Sequence, residues 1–176
     1  MKRFIILIAA IFTVGCATWV IGRYSTSADN LEAIRSWNGV KLNVGEFIQA
    51  NSIEVPSCNY KGPIKTIDGD SYAAFIMKAF VSELKVAGAY SSTAPVAISG
   101  RLDKLDNSTA TGTDWTIVMT FTASNGKSVT LTEKYDYNGS IAGTADSTCG
   151  ASASAFVPAV QNLVGQLIQN VPKLLQ

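Results

Sequence analysis

The stretch that decides the fold is Trp115-Thr116-Ile117-Val118-Met119-Thr120-Phe121-Thr122-Ala123-Ser124-Asn125-Gly126-Lys127-Ser128-Val129-Thr130-Leu131-Thr132-Glu133-Lys134-Tyr135. Trp115, Ile117, Met119 and Phe121 alternate with Thr116, Val118, Thr120 and Thr122, and Val129, Leu131, Glu133 and Tyr135 alternate with Thr130, Thr132 and Lys134. A period of two is the signature of a strand with one buried face. Asn125-Gly126 between the runs predicts a hairpin. A two-residue turn there would set Phe121 opposite Thr130 and mix apolar with polar residues on both faces. A three-residue loop, Ser124-Asn125-Gly126, sets Phe121 opposite Val129, Met119 opposite Leu131 and Trp115 opposite Tyr135. Because a one-residue slip moves every side chain to the other face, the apolar pattern selects the longer loop. Gly126 then takes the left-handed position of a type I turn with a G1 bulge.

Further strands and two helices extend outward from this hairpin. Val96, Ile98, Gly100 and Leu102 follow Pro95 as one more alternating strand, and Val40, Leu42 and Val44, continued by Phe47 and Ile48 after a bend at Gly45, form another. Residues 51–69, with Pro56, Gly62, Pro63 and Gly69, read as loop. A helix begins at a cap on Asp70 or Ser71. Its stripe runs Tyr72, Phe75, Ile76, Ala79, Phe80, Leu84, Ala87, with Lys78, Ser82, Glu83 and Lys85 off the stripe and Gly88 as the stop. A second helix carries Phe156, Val157, Val160, Leu163, Val164, Leu167, Ile168 and Val171. Ser154 is its predicted cap, Pro158 falls in its first turn, Pro172 ends it near Asn170, and Gln161, Asn162, Gln166 and Gln169 make an uncharged polar face. The order β-α-β-β-β-α predicts an α+β two-layer sandwich, an antiparallel sheet of about four strands with both helices on one face.

The N-terminus carries a different message. Lys2 and Arg3 precede an apolar run from Phe4 to Val14, then Gly15 and Cys16. A basic start, about ten apolar residues and a small residue describe a secretory signal, and the run is well short of the ~20 residues of a spanning helix. Residues 1–15 are thus read as signal, 16–37 as a tether, and 38–176 as one domain. Fully extended, the tether would reach roughly 70 Å at ~3.3 Å per residue. A short helical turn fits residues 30–36, capped by Asp29 or Asn30.

Composition excludes several classes of function. Without Lys2 and Arg3, 12 basic side chains face 13 acidic ones, so no basic face for nucleic acid is expected. Histidine is absent, which removes the commonest general base and zinc ligand and excludes a Ser-His-Asp or Cys-His mechanism. No catalytic residue, cofactor or metal is expected, and the chain reads as non-enzymatic. If Cys16 carries lipid, as the lipobox resemblance described below implies, Cys58 and Cys149 remain as an even pair. In an oxidising compartment they predict a disulfide between the loop after the first strand and the loop before the last helix; two separate buried thiols are the alternative.

Thr13-Val14-Gly15-Cys16 resembles the lipobox of bacterial lipoproteins, although Thr13 stands where Leu is usual. Together with residues 72–88, 98–105 (Ile-Ser-Gly-Arg-Leu-Asp-Lys-Leu), 113–120 and 155–163, the chain resembles small periplasmic lipoproteins of Gram-negative bacteria, of the ABC-transport auxiliary and lipopolysaccharide-assembly type. The resemblance implies lipidation at Cys16, an envelope location and a protein- or lipid-binding role, and it carries over no active-site residue. Ala17 rather than Asp after the cysteine favours, by the same resemblance, the outer membrane facing the periplasm. The expected function is a membrane-anchored binding or assembly and transport accessory module with an envelope protein partner. A periplasmic small-ligand or lipid-binding protein, its ligand between helices and sheet, is the alternative.

Other candidates are weaker. Asp68-Gly69-Asp70-Ser71 is a fragment of a calcium loop without its further oxygen ligands and terminal Glu, and reads as a turn into a helix cap. Asp103, Asp106 and Asp114 could pair as acid and base but read as a solvated hairpin loop. Trp115, Tyr135 and Tyr137 suit a core or sheet face better than a ligand surface. The threonine face, Thr116, Thr120, Thr122, Thr130 and Thr132 with Lys134, suits either water or strand-by-strand association with a partner.

Overall fold

The computed structural model describes residues 18–58, 62–108, 113–137 and 144–176. The signal segment 1–15 and Cys16 lie outside the described residues. The hairpin forms as its alternation requires. β6 (Asp114–Ala123) pairs antiparallel with β7 (Ser128–Asp136), setting Trp115 against Tyr135, Met119 against Leu131 and Phe121 against Val129. Gly126 has φ of 89°, open to glycine at little cost, which lets the loop close through the Gly126 N–H on the Ala123 carbonyl.

β5 (Ala97–Ser108) lies antiparallel to β6, and β2 (Asn43–Gln49) completes a four-stranded sheet in the order β2-β5-β6-β7. β2 runs parallel to β5, so the expected antiparallel sheet is corrected to a mixed one. The physical reason lies in the connection. Parallel neighbours need a crossover, and the long segment between β2 and β5 carries α2 (Tyr72–Val86), which packs on both strands. Val40 is outside β2 and 38% exposed, while Leu42 forms an isolated bridge to Tyr90.

The expected single sheet and two helices give way, among the described residues, to two sheets and three helices. β1 (Trp19–Ile21), β3 (Ser57–Cys58) and β4 (Gly62–Thr66) form a three-stranded sheet in the order β1-β4-β3, so part of the expected loop 51–69 is strand. α1 (Ala28–Arg35) is capped by Ser27, not Asp29 or Asn30. Ile21 and Ile34 are buried, so most of residues 16–37 belongs to the domain and the tether reading is corrected. α3 (Ala145–Leu175) begins at Thr144, about ten residues before the expected cap at Ser154. It runs through Pro158 and Pro172. Pro158 is therefore interior. It removes the bond to the Ser154 carbonyl, a tolerable loss because Ser154 is exposed and water can take that group.

α3 packs on β6 and β7 with Leu163, Val164, Leu167 and Ile168 fully buried, each contributing ~1.5–3 kcal/mol. Trp115 and Phe156 meet between the layers with ring centroids 4.9 Å apart, and the Trp115 indole N–H donates to the Ser152 carbonyl at 2.8 Å. Cys58 and Cys149 are joined by a disulfide. It links strand β3 to the second turn of α3 rather than two loops. Among the described residues no helix is long and apolar enough to cross a membrane.

Candidate functional site

One face of the four-stranded sheet carries the helices, and no helix among the described residues covers the other. The outward residues fall into rows across the strands. Ile48, Arg101, Thr120 and Thr130 form one row, Ser99, Thr122 and Ser128 the next, and Asp106, Thr116 and Lys134 a third. Asp103 sits where the β5–β6 register shifts, and the extra residue brings its carboxylate to both sides at once. Arg101 Nη2 is 2.9 Å from its Oδ1, and the Thr120 hydroxyl donates to its Oδ2 at 2.6 Å. The Thr120 and Thr130 hydroxyl oxygens are 2.9 Å apart.

Beside this chain of contacts lies a depression of about 480 Å³ between β2, β5 and β6, bordered by Glu46, Ile48, Ser99, Arg101, Thr120 and Thr122. Ile48 is 49% exposed, an apolar side chain among hydroxyls, one carboxylate and one guanidinium. The combination offers hydrogen bonds of both senses plus an apolar contact.

The remaining sequence candidates serve the fold. Asp68 pairs with Arg23, Asp70 with Lys78, and Ser71 caps α2 by accepting from the Ala74 N–H, so these residues form a turn and cap. Asp103, Asp106 and Asp114 are not brought together. Asp106 faces Lys104 at 3.9 Å, and Asp114 accepts from the Thr116 hydroxyl. Trp115 is fully buried, and the Tyr137 hydroxyl donates to Asn107 Oδ1 at 3.1 Å.

Two buried carboxylates escaped the sequence reading. Glu83, placed off the α2 stripe, is fully buried because residues 22–30 lie over that flank of the helix. Its Oε1 accepts from the Tyr24 hydroxyl (2.6 Å), the Ser27 N–H (2.8 Å) and Asn30 Nδ2 (3.3 Å). Burial first, then Glu83, raises the Tyr24 hydroxyl far above its usual pKa. Glu133, on the helix-facing side of β7, accepts from Asn162 Nδ2 at 3.0 Å and Gln166 Nε2 at 2.5 Å. Here lies the use of α3's uncharged polar face: two of its amides hold the sheet. A polar residue in the apolar register of β7, and amides in place of charges on a helix, were the available signals.

No family model and no curated protein matches the sequence. Among solved structures, the chain is similar to protein XCC0632 from Xanthomonas campestris, which carries the DUF330 family model. The superposition has a TM-score of 0.58 at 12% identity and covers 89% of this chain and 98% of the other. The two share a fold.

Proposed function

We propose that this chain is a membrane-anchored envelope lipoprotein, non-enzymatic, that binds a protein partner through the uncovered face of its four-stranded sheet. The observation that carries the binding role is a sheet face that no helix covers among the described residues: its four strands present rows of threonines, Arg101 and Ile48 around a depression of about 480 Å³. β7 stands at the edge of the same sheet, so a partner strand could extend it while side chains fill the depression. Interlocked packing of Trp115 and Phe156 between sheet and helix favours this reading over a ligand lodged inside.

The anchoring role rests on the signal-like residues 1–15 and on Thr13-Val14-Gly15-Cys16. Strand β1 begins at Trp19, three residues beyond Cys16, so an acyl chain on that cysteine would hold the domain close to the bilayer. An outer-membrane, periplasm-facing location is part of the proposal.

The test places a photo-cross-linking side chain at Thr122 in the full chain within its own membranes, with Val86 (57% exposed) as the off-site control. One adduct of defined mass at Thr122, absent at Val86 and lost with Ile48→Glu, is expected. Equal labelling at both positions, or none at Thr122, contradicts the binding role.

A further inference from the structure

The exposed apolar residues are not scattered evenly. Val20 (51%), Val55 (54%) and Ile67 (47%) gather around the outward face of the three-stranded sheet. On β1 and β4, Ile21, Ile64 and Thr66 point inward and are buried, so their neighbours Val20 and Lys65 point out, directly paired across the strands. Ile67 follows β4 at once, and Val55 precedes Pro56, whose carbonyl accepts from the Ile64 N–H. Lys65 stands among them with no carboxylate partner in the described residues. Apolar side chains beside a lysine, with the Asp68 next to Ile67 paired to Arg23, make a surface that suits the boundary between acyl chains and headgroups.

The length of chain ahead of β1 says what covers this face. Val20 is four residues past Cys16, so its Cα lies within ~14 Å of the cysteine however the intervening residues run. That is less than the thickness of a small domain, and a lipid on Cys16 leaves the sheet little room to turn away. We propose that the outward face of the three-stranded sheet rests on the bilayer that holds the anchor, with Val20, Val55 and Ile67 at the acyl boundary and Lys65 among the headgroups. The inference rests on the lipidation reading above.

The experiment uses the lipidated full chain in phosphatidylethanolamine–phosphatidylglycerol vesicles. Cys58 and Cys149 are bonded to each other, so a cysteine introduced as Val20→Cys, Ile67→Cys or Thr122→Cys takes an environment-sensitive fluorophore selectively once Cys16 is acylated. Nitroxide lipids then report depth. Quenching at Val20 and Ile67 several-fold above that at Thr122, with a blue-shifted emission, is expected, and Lys65→Glu should lower it. Weak quenching at all three positions, or quenching greatest at Thr122, overturns the docking. The mass of the N-terminal peptide keeps the two readings apart: acyl mass with unquenched Val20 and Ile67 sinks the docking alone, whereas an unacylated peptide sinks both.

Discussion

The Tyr24 hydroxyl donates to Glu83 Oε1 at 2.6 Å, joining residues 59 positions apart and fastening the N-terminal segment to α2. Ser27 and Asn30 complete the grip on the same oxygen, and Asn30 Nδ2 also donates to the Gln161 carbonyl of α3 at 3.0 Å. This cluster makes the chain behind Cys16 a part of the domain. Glu83→Ala leaves the Ser27 N–H and Tyr24 hydroxyl without an acceptor in the interior, each costing ~1–3 kcal/mol. A loss of about 3–5 kcal/mol in urea unfolding is expected, and Tyr24→Phe should cost less, about 1–2 kcal/mol. Equal stability of Glu83→Ala and the parent would refute the role given to the carboxylate.

The same tyrosine predicts alkaline weakness. Burial raises the hydroxyls of Tyr24, Tyr72 and Tyr137 above their usual pKa, Glu83 adding to the shift at Tyr24. Below about pH 10 both folded and unfolded chains hold these protons, and the stabilisation is complete. As pH rises further the unfolded chain releases them and the folded one does not, so stability falls by up to ~1.4 kcal/mol per pH unit for each such tyrosine. Denaturation midpoints between pH 8 and 11.5 should show the decline, shallower in Tyr24→Phe.

Gly165 of α3 sets two effects against each other. Alanine is favoured over glycine in a helix by ~1 kcal/mol. A Cβ at Gly165, however, would come within 2.7 Å of Asn30 Oδ1 and push that side chain off Glu83 and Gln161. The lost hydrogen bonds outweigh the helical gain, so Gly165→Ala should be destabilising by about 1–2 kcal/mol. In Asn30→Ala the same glycine change should become neutral or stabilising, a coupling that a double-mutant cycle measures.

The Cys58–Cys149 bridge spans 91 residues and ties β3 to the start of α3. Replacing both cysteines by alanine should lower stability by about 3–5 kcal/mol, on the chain-entropy scale for a loop of that length. Thermal unfolding of the double variant beside the parent, with and without reductant, checks this; reductant should move only the parent.

The sequence made some elements plain and hid others for physical reasons. The β6–β7 register could be read because alternation and one glycine turn admit a single apolar match, and α2 because its cap, stripe and stop agree. β1, with three residues, is too short to show a period, and it exists through pairing with β4. The parallel partnership of β2 and β5 leaves no mark in either strand. Residues 145–154 lack an apolar stripe of helical length, yet Thr144 is a good cap residue and Cys149 pins the first turns to β3. The uncovered sheet face was visible as a threonine row. The depression was not, because it arises where Ile48 on the parallel strand meets Arg101.

The intact mass of the mature protein, purified from membranes, tests the central claim most directly. The account predicts a chain that begins at Cys16 and carries acyl mass on that residue, since an anchor there lies three residues ahead of β1. A mature chain that begins after Cys16, or that retains Cys16 without acyl mass, would contradict it.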